Sequence, residues 1–306
     1  MTVNTKNLIR YVCDGDIKKA QDQARLILAN DQTAANYNFK KEMLRKLDIP
    51  KKEFITLPAN LQGILVAENV SKYPSDRFYQ RECERRILKE LKSVYKAAGR
   101  LQELGISYAS TAIFYGDSGT GKTSLARVLA HELKVPFVYI RFSALIDSLM
   151  GSTQKNVARI FDYARQTPCV LCFDEIDAVG TKRGNDSISE MNRVVISLMQ
   201  EMDNVSNDMI IIGTTNCYDR LDPALVRRFH HAYEIPRFTN EDALCASLNY
   251  LQFVGITEFD RKGMEDYFNS LKFVRQSGVF DKLVEELVSY CSTGRPPFSS
   301  EMQGGV

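Results

Sequence analysis

The chain has 306 residues, 44% of them hydrophobic and 25% charged, with a formal net charge of +2. That balance belongs to a globular protein with a sizeable core and about two domains, and it gives no reason to expect nucleic acid or an acidic membrane surface as a partner. No apolar run approaches the roughly 20 residues a spanning helix needs, and the opening MTVNTKNLIRYVCDGD has no signal-peptide apolar region.

Seven scattered cysteines suit reduced thiols better than a disulfide framework, so a cytoplasmic location is expected. Cys169 and Cys172 form a C-x-x-C, but CVLCFDE reads as a strand, where residues three apart point to opposite faces. They are expected to be buried small hydrophobes rather than a metal or redox pair.

The first 50 residues read as helical. NLIRYVCDG has apolar residues at helical spacing and stops at Gly15; Asp16 is a candidate N-cap for IKKAQDQARLILAN; TAANYNFKKEMLRKLDIP reads as a third helix ending before Pro50. Such a unit is either a docking domain or a structural extension. Residues 51–80 hold two prolines, follow Pro50 and show no sustained period, and read as a linker with a short strand at GILVAE. RECERRILKELKSVYKAAGRL then sets Ile87, Leu91, Val94 and Tyr95 on one helical stripe.

Strands and helices alternate after that. STAIFYG, FVYIRF, CVLCFDE and MIIIGTTN read as strands; KTSLARVLAHEL, TQKNVARIFDYARQ and SEMNRVVISLMQEMD read as the helices between them. Short apolar strands alternating with helices imply an α/β fold, a parallel sheet with helices on both faces. Past about Pro236 the strand signal fades into three helical segments.

GDSGTGKT matches G-x-x-x-x-G-K-[ST] in full, between a predicted strand and a predicted helix. Gly116, Asp117, Ser118, Gly119, Thr120, Gly121, Lys122, Thr123 and the following Ser124 are therefore the candidate ATP-binding residues. The glycines let the backbone N–H groups wrap phosphate oxygens, and the helix N-terminus adds favourable charge. Lys122 is expected to reach the β- and γ-phosphates and Thr123 to ligate Mg²⁺.

The apolar strand VLCF ends in Asp174 and Glu175, at the carboxyl end where such sheets bind ligands. Asp174 fits the outer Mg²⁺ partner and Glu175 the base that activates water. Asn216 ends MIIIGTTN and would sit near the γ-phosphate. LDPALVRRF carries Arg227 and Arg228 side by side, two guanidinium groups that cannot both be buried without anionic partners. A solvated helix end is one reading of them.

GDSGTGKT, CFDEIDAVG, RVVISLMQEMDNV, IIIGTTN and LDPALVRRF occur in the order and approximate spacing of the AAA family of ATPases. The resemblance covers about residues 81–290 and is to a single-module AAA protein of bacterial or phage type. It implies a large P-loop α/β subdomain over 81–236, a helical lid over 237–292 and a ring, usually a hexamer, of identical subunits. Residues 293–306 are then a disordered tail by composition. The resemblance also makes Arg227 and Arg228 arginine fingers for ATP on the neighbouring subunit, without the Pro-Gly that usually separates them. It sets Gly278, in VRQSGVF, close to the nucleotide, with Arg275 a weaker candidate for a γ-phosphate contact.

Three departures from the family pattern stand out, one of them that the lid has no clear sensor arginine. The pore-loop aromatic of protein-threading members is replaced by Leu149, followed by Met150 and Gly151, and no His-Glu-x-x-His is present. The leading expectation is an ATP-driven ring that remodels a protein client, selected through the N-terminal helices. The alternative is a nucleotide-controlled oligomeric switch acting on a partner effector. A DNA-acting loader is disfavoured because no basic groove or DNA-binding motif stands out.

Overall fold

The computed structural model describes residues 3–13, 17–30, 36, 40, 43, 53–106, 108–147, 153–180, 190–205, 209–272 and 274–299. The chain divides into two compact units, Met1–Lys51 and Lys52–Val306.

In the first unit, α1 (Val3–Cys13) packs against α2 (Ile17–Asn30). Val3, Ile9, Val12 and Leu26 remain exposed, and Lys19 lies over the Tyr11 ring. Most of the segment expected as a third helix, and all of Leu149–Gly151, lie outside the described residues.

The second unit is built on a seven-stranded sheet of order β1-β2-β4-β5-β6-β3-β7. The strands are β1 (Glu53–Phe54), β2 (Leu65–Asn69), β3 (Ser110–Tyr115), β4 (Phe137–Ile140), β5 (Val170–Phe173), β6 (Ile210–Thr215) and β7 (His231–Glu234). Its five central and right-hand strands are parallel, as the alternating pattern predicts. The expectation of an all-parallel sheet needs correction at the left edge, where β1 and β2 run antiparallel. The buried pair Arg127–Glu68 holds that edge, with Arg127 also 4.7 Å above the Phe137 ring.

Strand alternation divides the core between the two faces. Ile113, Leu171, Phe173 and Ile211 face α6 (Thr153–Gln166) and α8 (Glu190–Met202) through Ile160, Phe161, Val194 and Leu198. Ala112, Phe114, Cys172 and Ile212 face α3 (Glu82–Glu103) and α4 (Lys122–Leu133) through Leu91, Leu125 and Leu129. Cys169 and Cys172 accordingly lie in opposite cores, and burial pushes the Cys169 thiol up to about 12. The short elements α5 (Phe142–Asp147), α7 (Asp177–Gly180) and α9 (Pro223–Val226) sit in the loops.

Strand β7 lies beyond LDPALVRR, in a stretch without the apolar run of its neighbours; its residues alternate half-buried and exposed, the pattern of a sheet edge. The lid follows as α10 (Asn240–Val254), α11 (Arg261–Ser270) and α12 (Gln276–Thr293). Thr239 and Asp242 form a reciprocal capping box at the start of α10, and Asp260 caps α11 through Gly263 N. The lid core gathers Leu251, Met264, Phe268, Val279 and Leu283.

Phe298 completes that core at 7% exposure, and Pro297 O accepts from Asp260 N. Residues 294–299 are thus packed structure, against the expectation of a disordered tail over 293–306: the aromatic gives an otherwise polar segment enough apolar area to hold it. Among the described residues no helix is long and apolar enough to cross a membrane.

Candidate active site

The P-loop joins β3 to α4 at the carboxyl end of the sheet. Gly121 is the residue before α4 and has φ +91°, a conformation that side-chain-bearing residues rarely adopt. A Cβ there would also strike Gln276 of the lid. Lys122 is buried, and its Nζ donates to Gly116 O (2.8 Å), Asp117 O (2.6 Å) and Asn216 Oδ1 (2.8 Å). Burial pulls its ammonium below the ordinary lysine value, and Asp117, Asp174, Asp177 and Glu175 pull it back up. A charge held this way on three weak acceptors is poised to exchange them for an anion.

At the end of β5, Asp174 Oδ1 accepts from both Thr123 Oγ1 and Thr214 Oγ1, each at 2.6 Å. Thr214 Oγ1 in turn accepts from Glu175 N at 3.0 Å. One buried hydroxyl on β6 therefore fixes the carboxylate and the backbone of its neighbour together. Glu175 itself has φ +54°, which turns the chain sharply after the strand and leaves its side chain exposed. Asp177 is held separately by Thr215 Oγ1 at 2.7 Å.

These residues meet in one cleft, lined by Ser118, Gly119, Gly121, Lys122, Thr123 and Ser124 from the P-loop, Asp174 and Glu175 after β5, and Asn216 after β6. The cleft is also lined by aromatics, Tyr73, Phe78 and Tyr79 before α3 and Tyr250 and Phe280 of the lid. These aromatics escaped the sequence reading, because they lie in segments without a motif. Thr214 also escaped it; the only trace in the sequence is the second-last polar position of a buried strand. Gly278 does not line the cleft, and a Cβ on it would meet nothing within 4 Å; its neighbours Gln276, Ser277, Val279 and Phe280 do line it.

The two arginines lie outside the cleft and differ sharply. Arg228 donates from Nε and Nη2 to the two oxygens of Asp203 (3.0 and 3.1 Å) and from Nη1 to Ala224 O (2.7 Å). Its carbonyl accepts from Thr111 Oγ1 at 3.1 Å, and Thr111 Oγ1 accepts from His230 N at 2.9 Å. Arg227 is exposed, and its side chain has no partner among the described residues.

The donor set fits a nucleotide polyphosphate with a magnesium ion. A buried lysine on a glycine-rich loop would receive phosphate, while a hydroxyl and a carboxylate 2.6 Å apart offer the hard oxygen ligands that magnesium takes.

Residues 112–237 match the family model described as "ATPase family associated with various cellular activities (AAA)". The chain is 42% identical over 130 residues to the peroxisomal ATPase pex6 of Schizosaccharomyces pombe, covering 40% of this chain and 14% of that protein. It is 42% identical over 129 residues to PEX6 of Saccharomyces cerevisiae, covering 40% and 12%, and 43% identical over 128 residues to PEX6 of Dictyostelium discoideum, covering 40% and 11%. The chain thus spans a small fraction of these relatives' length. They are eukaryotic, which corrects the expected bacterial or phage type: the motifs that carried the resemblance serve nucleotide chemistry and hold no signature of lineage. Residues 112–237 thus carry a domain of the AAA ATPase type.

Proposed function

We propose that the chain assembles into a homo-oligomeric ring, of six subunits by the family's habit, in which Arg227 of one subunit completes the ATP site of the next. The observation that carries this reading is the division of labour between the two arginines. Arg228 is spent on Asp203 and Ala224 O within its own chain. Arg227 projects from that anchored segment as an exposed cation without a described partner. A cation supplied in trans offsets charge developing on the transferred phosphoryl group and can contribute about 10³–10⁵ in rate.

Within one subunit, Lys122 leaves its carbonyl acceptors to bind the phosphates, and Asn216, released from Lys122, is free to orient the attacking water. Glu175 accepts the proton from that water, aimed by the turn after β5 and by the Thr214 hydrogen bond to its N–H. Thr123 and Asp174 hold magnesium, which when bound spreads the negative charge of the phosphates. Hydrolysis would then drive remodelling of a protein client in the cytoplasm, with α1 and α2 selecting the client or an adaptor through their exposed apolar residues. The likeness to peroxisomal ATPases supports ATP hydrolysis as the driving reaction.

The test is complementation between two dead variants. Glu175→Gln and Arg227→Ala subunits are each assayed alone and then mixed. Mixed rings contain some sites with an intact Glu175 and a neighbour's intact Arg227, so activity should reappear, and the wild-type rate per subunit should rise with protein concentration. A mixture as inactive as its parts, with a wild-type rate independent of concentration, overturns the shared site. Leu149→Ala then separates the two uses of a ring, since client remodelling should fall while a pure switch keeps working.

A further inference from the structure

The second P-loop position is an aspartate, which sets a carboxylate beside a site built for anions. Asp117 belongs to the loop's frame: its carbonyl accepts from Lys122 Nζ and from Thr120 Oγ1. Its carboxylate is taken by Arg237, whose Nε donates to Oδ2. That hydrogen bond, followed by the charge of Arg237 and then of Arg275, holds the Asp117 carboxyl below the usual carboxylate range.

Arg237 stands at the root of the lid, and its position is preset. Ile235 N donates to Tyr115 O at 2.7 Å, so the chain leaving β7 runs against the start of the P-loop. A Cβ on Gly116 would lie 2.4 Å from Ile235 O, so only glycine permits that approach. The carbonyl of Arg237 accepts from Arg81 Nη1 at 3.1 Å, and Arg81 is buried and paired with Glu84. The segment before α12 returns at the same place. Phe238 bridges Val274 antiparallel, a register that sets residue 237 opposite residue 275, and Ser277 N donates to Gly119 O at 3.0 Å.

We infer that Arg237 is a positioning residue for the nucleotide: it neutralises and holds Asp117 so that the P-loop accepts a polyphosphate, and it ties that acceptance to a seated lid. Without Arg237 the carboxylate faces incoming phosphate uncompensated, a repulsion that grows with phosphate charge. With Asp117 made neutral, Arg237 has nothing to offset. The inference rests on residues 116–123 being the nucleotide site and is independent of the ring and of Arg227.

The experiment is calorimetric titration of dilute Glu175→Gln protein with ATP, ADP and AMP. Arg237→Ala should weaken ATP roughly five- to tenfold, ADP about threefold and AMP within about twofold, a size set by one partly screened charge. Asp117→Asn alone should tighten ATP more than AMP, and the Asp117→Asn/Arg237→Ala double variant should return to within about threefold of its parent. Arg237→Lys, which keeps the charge, should stay closer to the parent than Arg237→Ala. Equal losses for all three nucleotides, unchanged ATP affinity, or a double variant as weak as Arg237→Ala each overturn the inference. Should Arg237→Ala fold poorly by its melting curve, the Asp117→Asn comparison decides alone, and equal effects on ATP and AMP count against it. Because binding is read without turnover, failure of the shared-site reading leaves this result standing.

Discussion

Thr214 donates to the same oxygen of Asp174 that accepts from Thr123, and both distances are 2.6 Å. Two hydroxyls from different elements converge on one carboxylate oxygen, and only one of them comes from the P-loop. The other, on β6, also receives the N–H of Glu175. Thr214 is therefore the residue through which Asp174 and Glu175, the proposed metal ligand and proposed base, are registered to the sheet.

Thr214→Val keeps the shape and removes both hydrogen bonds. ATP turnover should fall about 10–100-fold, as expected when a base is displaced by a fraction of an ångström, with nucleotide affinity changed much less. Thr214→Ser, which keeps the hydroxyl, should recover most of the rate. Steady-state kinetics separating kcat from KM checks this, and a valine variant with unchanged kcat refutes it.

Glu175→Gln should retain ATP binding and lose at least about 100-fold in turnover, the usual worth of a positioned base. Calorimetry of ATP binding beside a phosphate-release assay reads the two separately. Loss of binding in proportion to rate would move Glu175 from base to ligand.

Arg227→Ala and Arg228→Ala should separate rate from stability. Removing Arg227 should cost about 10³ in turnover and leave the melting temperature unchanged. Removing Arg228 should lower stability by up to about 1 kcal/mol, the scale of a partly exposed pair. It should reduce turnover less, through looser presentation of Arg227. Equal effects of both variants on both quantities would contradict the division of labour.

Burial raises the Cys169 thiol from an ordinary 9.0 to about 12. A pKa raised in the folded state contributes stability that is fully present below the unfolded value and is lost as pH rises through the folded one. Stability should therefore fall between about pH 9 and pH 12 as the unfolded chain, but not the native one, releases this proton. Urea midpoints at pH 8 and pH 10 should differ less in Cys169→Ala than in the parent. Alkylation of the native chain should reach the exposed Cys13 and Cys291 and spare Cys169 and Cys172.

How much of this was legible in the sequence follows from the distance over which each interaction acts. The P-loop, Asp174–Glu175 and Asn216 are contiguous stretches on buried strands, and their pattern alone brings them to one cleft. The different fates of Arg227 and Arg228 depend on Asp203, which lies 25 residues away from Arg228 on another element. The partner of Asp117 is 120 residues away. Strand β7 gave no apolar run because only one of its faces is half-buried, and the antiparallel direction of β2 is a matter of tertiary pairing. Phe298 escaped because its neighbours are polar and its packing partners lie across the lid.

The left-handed backbone at Glu175 carries a consequence for how this sequence could change. A side-chain-bearing residue in that region costs of order 1–3 kcal/mol, and glycine would remove much of that cost. If Glu175 is the proposed base, a single replacement there gains thermal resilience and forfeits turnover, so selection for a robust fold and selection for ATP hydrolysis pull in opposite directions at one position. A library screened only for heat tolerance should drift toward glycine or asparagine there, and the persistence of glutamate under that screen would mean that the turn is held in place by more than the chemistry of the base.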